Sequence, residues 1–157
     1  MSMISDKVNN LAESATIAMA SKSRELKAAG KDIISLSLGE PDFNTPDFVK
    51  KAAKEGVDQN YSKYMPVPGY LDLRESICAK FKRDNDLDYT PNQIVVSTGA
   101  KQSIMNVVMS LVNPGDEVII PVPYWVTYVE QVRLSGATPV MVEATLEQDF
   151  KMTAAQL

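Results

Sequence analysis

The chain has 157 residues, 45% hydrophobic and 23% charged, with a net charge of −4 and no basic cluster, which fits one ordinary globular domain with its own core and argues against nucleic acid as a partner. It has no histidine and a single cysteine, Cys78, so Ser–His and Cys–His catalysis, His-containing zinc sites and an intrachain disulfide framework are excluded. The first residues lack the apolar stretch of a signal peptide, and no apolar run approaches the ~20 residues of a membrane span, so the expected setting is cytoplasmic and reducing, with no membrane partner.

Residues 1–11 are polar and read as an arm. Residues 17–30 are rich in helix formers and end at Gly30, a C-terminal helix signal. Ile33 to Leu38 alternates as a short strand would, and Gly39-Glu40-Pro41-Asp42-Phe43 breaks it. A helix is expected next, with Thr45 as cap, Pro46 at its first position and Asp47 on the dipole. A loop from Tyr61 to Gly69 holds Tyr61, Tyr64, Pro66 and Pro68, with packing as the default role for both tyrosines. The helix after it, about Tyr70 to Asn85, should bury Leu71, Ile77, Cys78 and Phe81, with Cys78 as a structural thiol. Its charged end, Lys80 to Asp88, reads as a solvated face, and Thr90 with Gln93 fits a capping box on a brief turn.

The most informative stretch is Gln93 to Trp125. Ile94, Val95 and Val96 read as a strand buried on both faces. After the small turn Ser97-Thr98-Gly99-Ala100, a helix carries Ile104, Val107, Val108, Leu111 and Val112 at helical spacing, and Asn113-Pro114-Gly115-Asp116 stops it. A second buried strand, Val118-Ile119-Ile120, runs into Pro121-Val122-Pro123-Tyr124-Trp125. A helix to about Ser135, a stop at Gly136, a strand over Thr138 to Val142 and a helix opening near Met152 to Leu157 complete the chain. Alternating strands and helices build a parallel or mixed α/β sheet. Three strands are few, and their bare edges imply a part of something larger.

Two features of this stretch suggest a site. The amides of Gly99, Ala100 and Lys101 face out of a helix N-terminus, where unpaired N–H groups and the helix dipole favour an anion such as a phosphate. Trp125 follows the next strand and reaches the same carboxyl-end edge of the sheet, where open α/β sheets bind ligands. A phosphate cradle beside a flat aromatic suits a phosphorylated, planar cofactor. Many helices start after glycine turns, however, and on these residues alone a core aromatic is the favoured reading of Trp125. Neither G-x-G-x-x-G nor G-x-x-x-x-G-K-[ST] occurs, which argues against a nucleotide-binding domain.

The order Ser14-Ala15-Thr16, Ser37 to Pro46 (SLGEPDFNTP), Tyr64 to Arg74 (YMPVPGYLDLR), Gly99-Ala100-Lys101-Gln102 and Asn113 to Trp125 resembles the N-terminal part of the class I bacterial aspartate aminotransferases. The likeness covers essentially the whole chain but under half of a typical member. It implies an α/β, fold type I pyridoxal-phosphate transferase with a mixed or parallel sheet and flanking helices. Residues 1–44 would be the N-terminal arm and small-domain segment, and 45–157 the first part of an incomplete large domain. The implied cofactor is pyridoxal 5'-phosphate. Its contacts would be Gly99, Ala100 and Lys101 on the phosphate, Trp125 on the ring, and Tyr64 on the phosphate of the neighbouring subunit of a homodimer. The implied substrate contacts are Gly39 and Trp125, with Ser14, Thr16 and the Lys101 side chain favouring a distal carboxylate. A solvated lysine is the plainer reading of Lys101, but a cation sits badly at a helix N-terminus.

The implied reaction moves an amino group from aspartate to 2-oxoglutarate. In relatives the Schiff-base lysine, the acid that pairs the pyridinium nitrogen and the arginine that binds the substrate carboxylate all lie beyond the point matching Leu157. Lys22 has a superficially similar Ser-Lys context but lacks the glycine and arginine expected after it. The expectation is therefore a part of a longer enzyme, with no catalytic residue of its own and inactive alone. Alternatives are an acceptor such as prephenate or an aromatic or other 2-oxo acid, or a non-catalytic binding module. Some relatives that act on prephenate carry a basic residue near positions 12–13, where this chain has Ala12 and Glu13.

Overall fold

The computed structural model describes residues 3–157. Of the arm expected at the N-terminus, Met1 and Ser2 lie outside the described residues. The chain forms two compact units, one made of residues 1–38 and 98–157, the other of residues 39–97.

In the first unit, a one-turn helix α1 (Asp6–Asn9) interrupts the expected arm. The Ser14 hydroxyl caps α2 (Ala15–Ala28) by accepting from the Ile17 amide at 3.5 Å. Gly30 closes α2 at φ 76°, a left-handed conformation that glycine adopts without Cβ strain. The strand expected over Ile33 to Leu38 does not form, and Leu36 is 91% exposed. Alternation creates a face, but a strand also needs a neighbour for its peptide groups, and the segment has none among the described residues of its unit.

The unit's order comes from a β-α-β crossover. Strand β1 (Glu117–Val122) and strand β2 (Thr138–Glu143) pair in parallel, Glu117 opposite Thr138 and Val122 opposite Glu143. Pro139 is the second residue of β2, and in a sheet of two strands both are edges. Helix α5 (Ala100–Leu111) precedes β1, and α6 (Thr127–Ser135) links the two strands. Gly136 ends α6 in the left-handed region at φ 90°, where an added Cβ would lie 3.2 Å from the Pro114 ring. The turns at the two strand entrances are tied together: the Gly115 amide donates to Gly136 O at 3.1 Å, and the Thr138 amide to Asp116 O at 2.8 Å.

Ile120, Val129, Val132 and Ala137 form the core, flanked by Val112, Val118 and Tyr128. Val132 is the most enclosed, 2% exposed, and burial of such a side chain contributes about 1.5–3 kcal/mol. Of the stripe expected on α5, only Val108 is buried, while Val107 and Leu111 stay exposed. The helix expected at 152–157 is only a turn, preceded by a short 3-10 turn at Leu146–Gln148.

In the second unit, α3 (Asp47–Asp58) starts one residue later than expected, with Pro46 itself at the cap position and no side-chain cap. Helix α4 (Leu71–Asn85) forms as expected but buries none of its residues. Leu71 is exposed, and Ile77, Cys78 and Phe81 are only half-buried, so Cys78 is not the enclosed thiol that its helical stripe suggests. The strand expected at Ile94–Val96 is absent. Ile94 is extended and buried, yet Val95 is 65% exposed, and apart from the Ile94 amide's turn bond to Pro91 O at 3.2 Å the segment's backbone link is the bond from the Val96 amide to Pro68 O at 3.0 Å. Among the described residues the sheet thus has two strands, not three. The Thr90–Gln93 capping box is present on a 3-10 turn, with the Thr90 amide donating to Gln93 Oε1 at 3.0 Å. Arg74 ties α4 to two loops, from Nε to Gly69 O at 3.2 Å and from Nη1 to Pro91 O at 2.8 Å.

Candidate functional site

Helix α5 begins at Gly99, whose φ of 85° and ψ of 162° turn the chain sharply into the first helical turn. Nothing lies within 4 Å of where a Gly99 Cβ would be, so the approach to the backbone is open. The first amides of a helix have no intrahelical acceptor. Here the Thr98 amide is satisfied by the Gln102 carboxamide, and the Gln102 and Ser103 amides return to Gly99 O at 3.1 and 3.3 Å. The amides of Gly99, Ala100 and Lys101 have no acceptor among the described residues. They form a short row of donors at the positive end of a helix of 12 residues.

Trp125 precedes α6, and its carbonyl accepts from the Tyr128 amide at 3.0 Å. The indole is 44% exposed, which removes the reading of Trp125 as a core aromatic. Lys101 Nζ stands over this ring, 5.3 Å from its centroid, a cation–π distance. One place therefore holds open amide donors, a fixed cation and an accessible flat π-face. That combination can hold an anion joined to a planar ring.

Two further residues that chain order does not reveal shape this place. Gln131 of α6 is 8% exposed and donates from Nε2 to Lys101 O at 2.6 Å. Its position among Tyr128, Val132 and Ser135 on the inward side of α6 is the signal, a polar residue in an apolar stripe. Gln102, which takes the Thr98 amide, lies in a motif read for its neighbours.

The remaining expected residues are less concentrated. The Ser14 hydroxyl is engaged as the α2 cap, and Thr16 is half-buried in the first turn of that helix. Ser14 borders a groove of about 540 Å³ with Tyr124, Glu130, Arg133 and Met141, and neither Lys101 nor Trp125 lines it. Open amides, a cation and an exposed indole meet at the α5 start, which makes it a better candidate than this groove. Glu130 fastens the arm there, accepting from the Ala12 amide at 3.1 Å and pairing with Arg133 at 2.7 Å. Gly39 and Tyr64 belong to the other unit, where nothing lies within 4 Å of the place a Gly39 Cβ would take, and Tyr64 is fully exposed. Of the loop tyrosines it is Tyr61 that packs, edge-on to Tyr70 with ring centroids 5.1 Å apart. Among the described residues no group of three or more acidic or cysteine side chains could hold a metal, and no helix is long and apolar enough to cross a membrane.

The family model for aminotransferase class I and II matches residues 31–157. The chain is 51% identical, over all 157 residues, to an aspartate/prephenate aminotransferase of Cereibacter sphaeroides, covering 39% of that protein. It is 49% identical over 155 residues to an aspartate aminotransferase of a Bacillus species, covering 99% of this chain and 40% of that protein. Among solved structures, the aspartate aminotransferase of Thermus thermophilus with maleate superposes with a TM-score of 0.92 at 41% identity, over 99% of this chain and 41% of that one. The aspartate aminotransferase of Rhizobium meliloti gives 0.92 at 35% identity, over 99% and 39%. The chain thus spans about two fifths of the length of these relatives. With the same local fold over nearly its whole length and a family match over most of its sequence, this α/β chain belongs to the aminotransferase class I and II family.

Proposed function

We propose that this chain supplies the phosphate and ring contacts of a pyridoxal 5'-phosphate-dependent aminotransferase that moves the amino group of aspartate to 2-oxoglutarate. The observation that carries the reading is the juxtaposition of the unpaired Gly99–Lys101 amides with the Trp125 indole, bridged by Lys101 Nζ at 5.3 Å from the ring. The residues fit the cofactor: the amides suit its phosphate, and the half-exposed indole suits its flat ring. When bound, the cofactor supplies an electron sink at the substrate's α-carbon.

In this reading Gly99, Ala100 and Lys101 donate to the phosphate through their backbones. The Trp125 side chain covers the ring and keeps water from that face. The Lys101 ammonium, with Ser14 and Thr16, favours the distal carboxylate of a dicarboxylic substrate. Gly39 offers a backbone contact to the other carboxylate, and Tyr64 reaches the cofactor phosphate of the neighbouring subunit in a homodimer. The domain division at residue 44 and a cytoplasmic setting belong to the same proposal. The 157 residues by themselves are proposed not to transaminate. Lys22, for example, lies on exposed α2 and pairs with Glu25 at 3.2 Å.

The test is Lys101→Met in the intact protein, assayed with aspartate and with alanine as amino donors. A charge-assisted contact is worth about 1.5–3 kcal/mol, so kcat/KM for aspartate should fall roughly 10- to 100-fold while that for alanine changes little. An equal fall for both donors would remove Lys101 from carboxylate recognition. Faster turnover of prephenate than of 2-oxoglutarate as acceptor would replace the acceptor named here.

A further inference from the structure

Gln131 is a nearly enclosed polar side chain that the contacts above leave without a task. Its Nε2–H group crosses from α6 to α5 and ends on the carbonyl of Lys101, at 2.6 Å. Its other atom, Oε1, is buried and has no partner among the described residues. The amide orientation follows from chemistry, because the reverse would set two acceptor oxygens against each other. An unpaired buried acceptor is unfavourable, and a methionine would fill similar space without it. What distinguishes glutamine at this position is therefore its bond to Lys101.

Lys101 contributes to the candidate site through its own amide and through its ammonium over Trp125. Trp125 in turn sits at the start of α6, with its carbonyl bonded to the Tyr128 amide at 3.0 Å, one turn before Gln131. The donor row opens α5 and the indole stands just before α6, and this side-chain bond joins the two helices at a residue of the row. We infer that Gln131 is a positioning residue: it sets the spacing between the Gly99–Lys101 donors and the Trp125 ring, and so tunes how well a phosphate is held beside a stacked ring. The inference rests on the cofactor reading above.

The experiment is equilibrium dialysis of the intact protein against pyridoxal 5'-phosphate and, separately, against pyridoxal. The ratio of the two affinities isolates the phosphate contribution from every contact to the ring and its carbonyl. Gln131→Met keeps the volume and removes the donor. It should lower the ratio about tenfold, the size of one hydrogen bond, with circular dichroism unchanged. Gln131→Glu adds a second signature. Protonated, the introduced carboxyl can donate to Lys101 O; ionised, it cannot. Burial raises such a carboxyl's pKa, so the ratio, taken relative to wild type at each pH, should recover as the pH falls. A merely space-filling residue would show no such recovery. If wild type has no preference for the phosphorylated form, the cofactor reading fails and this inference with it. If wild type has the preference and folded Gln131→Met keeps it in full, the inference alone is overturned. Should Gln131→Met not fold, a Gln131→Glu ratio that tracks wild type at every pH overturns the inference in its place.

Discussion

Helices α3 and α6 make an instructive pair. The first has the cleaner amphipathic pattern, with Phe48, Val49, Ala52, Ala53 and Val57 within one half of its circumference, yet it buries nothing, and Val57 is 75% exposed. The second has a weaker pattern and buries Val129, Gln131, Val132 and Ser135. The difference is what lies opposite. Helix α6 is the crossover between two paired strands, so β1, β2 and α5 all pack on it. Among the described residues, no other helix or strand of its unit packs on α3. A stripe offers surface, and burial requires a partner for it.

The sharpest way to break this contrast is to place a charge on each helix. Val132→Asp puts a carboxylate into a site 2% exposed and should cost at least about 3 kcal/mol, because a buried charge has no partner there. Val57→Asp should stay within about 0.5 kcal/mol. Urea denaturation of the two variants measures both, and similar losses would erase the distinction between the helices.

The same contrast exists in the backbone. Gly69 has a φ of 98°, and an added Cβ would fall 2.9 Å from Val96 Cγ2, whereas Gly39 has nothing within 4 Å. Gly69→Ala should therefore destabilise by about 1–3 kcal/mol, and Gly39→Ala should be close to neutral, both read from the thermal midpoint. A neutral Gly69→Ala would mean that the loop yields rather than packs.

The smallest expected effect is electrostatic. At the end of α4 the Arg83 guanidinium grips Asp84, at 2.6 Å from Nε and 3.1 Å from Nη2. That hydrogen bond, with help from the charges of Arg83 and Lys80, holds the Asp84 carboxyl below its ordinary value of 3.8. A depressed carboxyl pKa stabilises the fold above the unfolded value, and that contribution disappears as the pH falls through the folded value. The carboxyl is exposed, so the effect on stability should be slight and screened by salt. Carbon-detected NMR titration of Asp84 should give a low midpoint that moves toward 3.8 in 1 M salt. A midpoint insensitive to salt would show that the pair is better shielded than its exposure implies.

Much is readable from local chemistry. Asn113-Pro114-Gly115-Asp116 and Gly136 stop helices wherever the chain goes next, because the signals act over a few bonds. The Thr90–Gln93 box forms for the same reason. The glycine before α5 and the donors behind it are also local, so the anion-favouring helix start is visible in the residue order alone. The motifs shared with the aminotransferases point to the fold class through resemblance, not through periodicity. Periodicity misleads at Ile33 to Leu38 and at Ile94 to Val96, where β-type residues find no strand to pair with.

By itself the amino-acid order determined the stops after α2, α5 and α6, which amides are left over at Gly99, and that this chain offers no histidine or intrachain disulfide chemistry. Only the tertiary structure decided which strands exist, which apolar faces are covered, and that Lys101 meets the Trp125 ring with Gln131 behind it. The reason is range. Caps and turns are set by neighbours in the chain, whereas ladders, burial and the meeting of α5 with α6 depend on segments brought together across the fold.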